Sequence, residues 1–138
     1  MFETVVVGAD ESPTAAEAVR QAIELVKLTG GTLHIVSAYA HQQLSTSGEY
    51  AKSVTTSDLA DSLLEDLSSR ARLAGVEVAV HSIAGSPANV ICEVAAEVDA
   101  DLIIVGNKGM KGARRVLGSV PNSVAHQASC SVLIAATT

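Results

Sequence analysis

The sequence predicts an α/β fold: a single open, mainly parallel five-stranded sheet with four helices on both faces. Three observations carry that expectation. Apolar runs of strand length alternate with segments of helical period along the whole chain. Two of the runs, Val5-Val6-Val7 and Leu102 to Val105, have no polar alternation, which is how strands buried on both faces read. The second of these breaks at Gly106 into a glycine-rich basic stretch that runs into a helix start. Connections of that kind are short and right-handed, so the alternation leads to parallel strands.

The elements follow in order. Thr4 to Ala9 is the first strand, and its consecutive β-branched valines place it centrally. Asp10-Glu11-Ser12-Pro13 ends it and starts a helix, with Ser12 suited to the N-cap and Pro13 to the first helical position. Apolar or small residues at 15, 18, 19, 22, 25, 26 and 29 give that helix one face, and Gly30-Gly31 stop it. Leu33 to Ala38 is the second strand. Tyr39 to Ser57 shows no period and reads as a long loop, a length that in a compact domain usually marks function or mobility.

Helical spacing returns at Leu59, Leu63, Leu67 and Ala71 and ends at Gly75. Val76, Val78 and Val80 then alternate with Glu77, Ala79 and His81, the one strand with clear polar alternation, which suits a sheet edge. Ser86-Pro87 repeats the Ser12-Pro13 device and opens a helix through Val90, Val94 and Ala95. After the fourth strand and the glycine loop come a helix from about Val120 to Ala128 and a last strand, Ser131 to Ala136.

Length and composition bound the function. The 138 residues suffice for one domain, 1–138, with a substantial core. Phe2, Tyr39 and Tyr50 are the only aromatics, so that core is built from Val, Ile, Leu and Ala. There is no basic segment followed by an apolar one at the N-terminus and no apolar run near membrane-spanning length, so a soluble cytoplasmic protein without membrane contact is expected. Cys92 and Cys130 read as reduced core-filling residues. His34, His41, His81 and His126 lack metal-ligand spacing and read as structural or surface residues.

The net charge of −6 hides an asymmetry. Residues 102–138 hold no Asp or Glu, but hold Lys108, Lys111, Arg114 and Arg115; residues 1–101 hold all fifteen acids. A basic island on an acidic protein suits a small, local anion and not a polyanion. With few aromatics as well, nucleic-acid binding is not expected. Glycines let backbone N–H groups approach such an anion, and a helix N-terminus adds donors and a favourable dipole. The plainer reading is a solvated loop with Ser119 as an ordinary N-cap; the two are compatible, because an anion docks where a cap sits.

Other functions fail on their motifs. No G-x-G-x-x-G follows the first strand, as a dinucleotide dehydrogenase would require, and no G-x-x-x-x-G-K-[ST] marks a P-loop. No acid ends the third strand in the place of a receiver phosphoacceptor, and no G-x-S-x-G elbow appears. No residue set would drive turnover, so no catalytic residue is assigned and at most slow turnover is expected.

Gly106-Asn107-Lys108-Gly109, eight residues, then Gly118-Ser119, together with the early Val7-Gly8-Ala9-Asp10-Glu11-Ser12 and an apolar last strand, resemble the universal stress proteins over nearly the whole chain. Nucleotide-binding members of that family carry nine residues in the span that here holds eight. The resemblance implies a Rossmann-like sheet of order 3-2-1-4-5, with a switch point between strands one and four, where ligands bind at the carboxyl ends. It implies an adenine nucleotide, ATP with Mg²⁺, or cyclic AMP as the alternative.

The binding residues it implies are Asp10 near the ribose and Ala38 and Val105 near the ring. Gly106, Gly109, Gly118, Ser119 and Val120 would lie at the phosphates. Small residues at Gly8 and Ala9 leave room beside strand one. No residue is assigned to metal. A homodimer is also implied, the final strand pairing with its twin; that strand is apolar at both parities, an exposed edge that needs covering. A regulatory, stress-response role follows. The rival from another class is a dimeric interaction module of the same fold that binds no nucleotide.

Overall fold

The computed structural model of the chain describes residues 1–10, 12–40, 47–107 and 119–137, with the backbone alone for residues 47–56. Lys108, Gly109, Lys111, Gly112, Arg114, Arg115 and Gly118 lie outside the described residues, as do Glu11 and His41. The elements are β1 (Thr4–Gly8), α1 (Pro13–Thr29), β2 (Thr32–Tyr39), α2 (Ser47–Leu73), β3 (Glu77–Ala84), α3 (Pro87–Glu97), β4 (Leu102–Gly106), α4 (Val120–Gln127) and β5 (Ser131–Ala135).

The sheet has the order β3-β2-β1-β4-β5, and every pairing is parallel. β1 is central, and Val5, Val6 and Val7 are fully buried. Alternate residues serve opposite layers. Val5, Val7, Leu33, Ile35, Leu102 and Ile104 join α1 and α2 in one core, whereas Val6, Val36, Ile103 and Val105 join α3 and Val124 of α4 in the other. A strand covered on both faces has no polar side to show, which is why the two unbroken apolar runs became β1 and the neighbouring β4. β3, the alternating strand, is an edge, and β5 is the other.

The helix starts follow local chemistry. Ser12, Ser86 and Ser119 all take extended N-cap geometry and each is followed within two residues by proline. α1 ends at Gly30, whose φ of 75° is left-handed and whose N–H donates to the Val26 carbonyl. At the amino end of the sheet, the Asp101 carboxylate accepts the Glu3 and Thr4 amides at 3.1 and 3.2 Å. Burial raises that carboxyl's pKa, but these backbone donors outweigh it and the net direction is down. Asp101 thereby fastens β1 to the start of β4.

One expectation is corrected. Residues 47–57 are not loop: α2 begins at Ser47 and runs unbroken to Leu73. The stretch is so poor in large apolar residues that its sequence carries no period to register, although Glu49, Ala51 and Lys52 favour helix.

Candidate functional site

Parallel strands all finish at one end of the sheet, and there the order turns back between β1 and β4. The chain leaves β1 through Ala9 and Asp10 towards α1, with the Ala9 amide donating to the Val36 carbonyl of β2 at 2.8 Å. It leaves β4 through Gly106 and returns at Ser119 to open α4. The parting of these two exits leaves a cavity of about 350 Å³ on the α3 and α4 side.

Of the sequence-derived residues, Gly8, Ala9, Asp10, Ala38, Val105, Gly106, Ser119 and Val120 all line this cavity. Gly109 and Gly118 are outside the described residues. Four segments distant in sequence therefore meet in one place. Val36, Ala38, Ile91, Pro87 and Val105 make one part of the wall apolar, and Asp10, Ser12, Thr14 and Ser119 supply oxygen atoms elsewhere. A volume of a few hundred Å³ with an apolar lining and a few converging polar groups is the ordinary form of a small-molecule site.

Close approach explains the glycine on β1. A Cβ on Gly8 would stand 2.5 Å from Ile91 Cδ1 and 3.7 Å from Val105 Cγ1, both residues of the cavity wall. Ser119 caps α4, its hydroxyl accepting the Asn122 amide at 3.3 Å. Pro121 supplies no N–H, so Val120 carries the first amide of that helix. Just past β4, the Asn107 side-chain oxygen accepts both the amide and the hydroxyl of Thr137, at 2.9 and 3.0 Å, tying the start of the glycine stretch to the chain beyond β5.

Sequence reasoning did not assign Ser12, Thr14, Ala15, Val36, Pro87, Ile91 or Pro121 to the wall. By sequence Ser12 and Pro87 carry helix-starting chemistry alone, and Pro121 follows the Ser119 cap in the same way. Their place at the mouths of helices α1, α3 and α4, all at the same end of the sheet, was the available signal.

Two other clusters lie apart from the cavity wall. His34 Nδ1 and His81 Nε2 are 3.0 Å apart across β2 and β3, and the His34 pKa is lowered, first by burial and then by its neighbour. Cys92 and Cys130 are half-buried beside the α3–α4 core. Burial pushes both thiols up, with smaller contributions from Cys130 on the first and Asp101 on the second, away from the thiolate that would react. Among the described residues no cluster of three or more His, Cys, Asp or Glu could hold a metal ion, and no helix is long and apolar enough to cross a membrane.

The fold and cavity define a class: a doubly wound parallel α/β domain with a small-ligand pocket at its switch point. The universal stress protein family model matches residues 1–136, and the chain belongs to that family. It is 35% identical to universal stress protein Rv1636 of Mycobacterium tuberculosis, over 99% of this chain and 98% of that one. A universal stress protein solved in complex with cAMP is 32% identical, with a TM-score of 0.82 over 99% of this chain and 98% of that one. One from Archaeoglobus fulgidus, solved in complex with dAMP, is 25% identical, with a TM-score of 0.68 over 97% and 98%.

Proposed function

We propose that this protein binds an adenine nucleotide in the switch-point cavity and acts as a cytoplasmic regulatory, stress-response protein without strong catalysis. The observation that carries the reading is the convergence of Gly8, Ala9, Asp10, Ala38, Val105, Gly106, Ser119 and Val120 on one cavity. The ring lies against Ala38 and Val105, the ribose against Asp10, and the phosphates towards Ser119, Val120 and the basic glycine stretch. ATP is the favoured ligand, because four Lys or Arg residues between 108 and 115 suit several phosphate charges. Cyclic AMP is the second reading, favoured by the 32%-identical relative solved with it.

Mg²⁺ fits only as an ion carried by the ligand. Asp10 is the one carboxylate among the described lining residues. A single carboxylate with phosphate oxygens and water suits Mg²⁺, which keeps several waters. Bound there, it would neutralise phosphate charge.

Calorimetric titration of nucleotide-free protein tests the reading. ATP with Mg²⁺, or cyclic AMP, is expected to bind wild type. Asp10→Ala is expected to weaken binding by at least about tenfold, the scale of a charge-assisted hydrogen bond. Heat from neither ligand, with no binding in an independent assay, would overturn it in favour of the interaction module.

The reading includes a homodimer through β5. Leu133 and Ile134 on this edge strand are 40% and 38% exposed, one on each face. An uncovered apolar edge invites a second strand. Light scattering at micromolar concentration is expected to give twice the monomer mass, and Leu133→Lys to give the monomer; a wild-type monomer would exclude this assembly.

A further inference from the structure

Ser12 stands at the N-cap of α1, yet its side chain makes no capping hydrogen bond to that helix. Its groups are directed at Asp10 instead. The Ser12 amide donates to Asp10 Oδ1 at 2.8 Å, and the Ser12 hydroxyl donates to the same oxygen. Ser12 Oγ also lies 2.8 Å from Thr14 Oγ1. A hydroxyl has one proton, and that of Ser12 goes to the carboxylate, so Thr14 is the donor in the second contact. The chain runs Thr14 O–H to Ser12 O–H to Asp10 Oδ1, and all three residues line the cavity.

We infer that Ser12 is a positioning residue: it fixes the Asp10 carboxylate for a ligand hydroxyl, and so makes the site selective for nucleotides that keep a free ribose hydroxyl. Asp10 is exposed at the mouth of α1, where a carboxylate otherwise turns among rotamers in water. Two donors on one oxygen set its plane before a ligand arrives, so the cost of ordering it is not charged against binding. Hydrogen bonds in series onto an ionised acceptor also reinforce one another. The simpler account is a turn that only starts α1. That account predicts an effect of Ser12 on stability, or on all ligands equally, whereas positioning predicts an effect only where the ligand presents a hydroxyl to Asp10.

The inference rests on the nucleotide reading of the cavity, and the test separates the two. Wild type, Ser12→Ala, Ser12→Gly, Ser12→Thr, Asp10→Ala and the Ser12→Ala/Asp10→Ala double variant are titrated as the full chain. The ligands are ATP beside 2′,3′-dideoxy-ATP, and cyclic AMP beside 2′-deoxy-cyclic AMP. For the pair whose hydroxyl-bearing member wild type binds, Ser12→Ala is expected to weaken that member about tenfold, the scale of one hydrogen bond to a charged group. The deoxy member is expected to bind wild type and Ser12→Ala alike. Ser12→Thr, which keeps a hydroxyl, restores affinity to within about twofold, and the double variant binds no more weakly than Asp10→Ala.

Ser12→Gly, an N-cap-compatible change without a hydroxyl, is expected to match Ser12→Ala and guards against a helix that fails to form. Equal weakening of both members by Ser12→Ala, or none at all, overturns the inference and leaves nucleotide binding standing. So does wild type that binds the deoxy member as tightly as the other. Wild type that binds none of the four overturns both.

Discussion

Gly8→Val is expected to abolish nucleotide binding, a loss of at least about 100-fold, in a protein that still melts cooperatively. β1 is the central strand, and Gly8 is its last residue, on the same face as Val6 and opposite α3. The absent side chain is what lets Ile91 and Val105 close over the cavity floor: a Cβ at Gly8 already stands 2.5 Å from Ile91 Cδ1. The nearest obstacle is the end of a flexible side chain, so Ile91 can turn away. Relief of that kind costs about 1–3 kcal/mol, as overpacking of a core typically does. Valine then adds two further methyl groups on the side of Val105, where the ring is placed, and Ile91 has moved within the same wall. The stability cost corresponds to about 4–12 °C in Tm at this size. The binding loss is larger because a ring must lie flat on that surface. Calorimetry and a thermal melt on one preparation check both parts. Wild-type affinity in Gly8→Val would mean that the ligand does not rest on β1.

How much of this was legible beforehand depends on the distance over which each feature is encoded. β1 and β4 declared themselves because a strand covered on both faces needs no polar residue, and that rule acts within a few positions. The helix starts at Ser12, Ser86 and Ser119 were equally local. The start of α2 was not legible: its first turns carry few large apolar residues, so a search for apolar period returns nothing there. The switch point required the strand order, which the family resemblance supplied and no period could.

Contacts made by the fold itself were hidden. Ile91 meets Gly8 only because α3 crosses back over β1, and His34 meets His81 only through the parallel register of β2 and β3. Asn107 and Thr137, 30 residues apart, meet because β4 and β5 are neighbours. Ser12 shows a subtler limit. Its residue type was correctly placed at a helix start, but one hydroxyl can serve the helix or the neighbouring carboxylate, and only geometry shows which it serves.

Gly31→Ala is expected to be among the most destabilising single-methyl changes in this protein, and to leave the ligand site untouched. Gly30 and Gly31 adjoin after α1, but each is glycine for a different reason. Gly30 holds a left-handed φ of 75° with open space where a side chain would go. Alanine there is strained only by its own backbone, a cost of about 1 kcal/mol. Gly31 has no room: a Cβ would lie 2.2 Å from the Glu3 carbonyl oxygen and 2.7 Å from Glu3 C and Cα. Backbone cannot rotate aside as a side chain can. That same carbonyl accepts the Thr32 amide at 2.8 Å, immediately before the Thr4–Thr32 register pair of β1 and β2. Relieving the clash therefore pulls the central strand from its neighbour where the ladder begins, and Asp101, which holds the Glu3 and Thr4 amides from the other side, resists the shift. The expected loss is about 3 kcal/mol, at the upper end of overpacking costs. It should appear in urea melts as a lower midpoint at unchanged slope. Because the clash lies at the amino end of the sheet, affinity for nucleotide below the melting range should match wild type. Equal losses for Gly30→Ala and Gly31→Ala would show that the β1–β2 junction yields easily. A clearly larger loss for Gly31→Ala than for Gly30→Ala would show that close backbone approach, and not helix termination, fixes glycine at position 31.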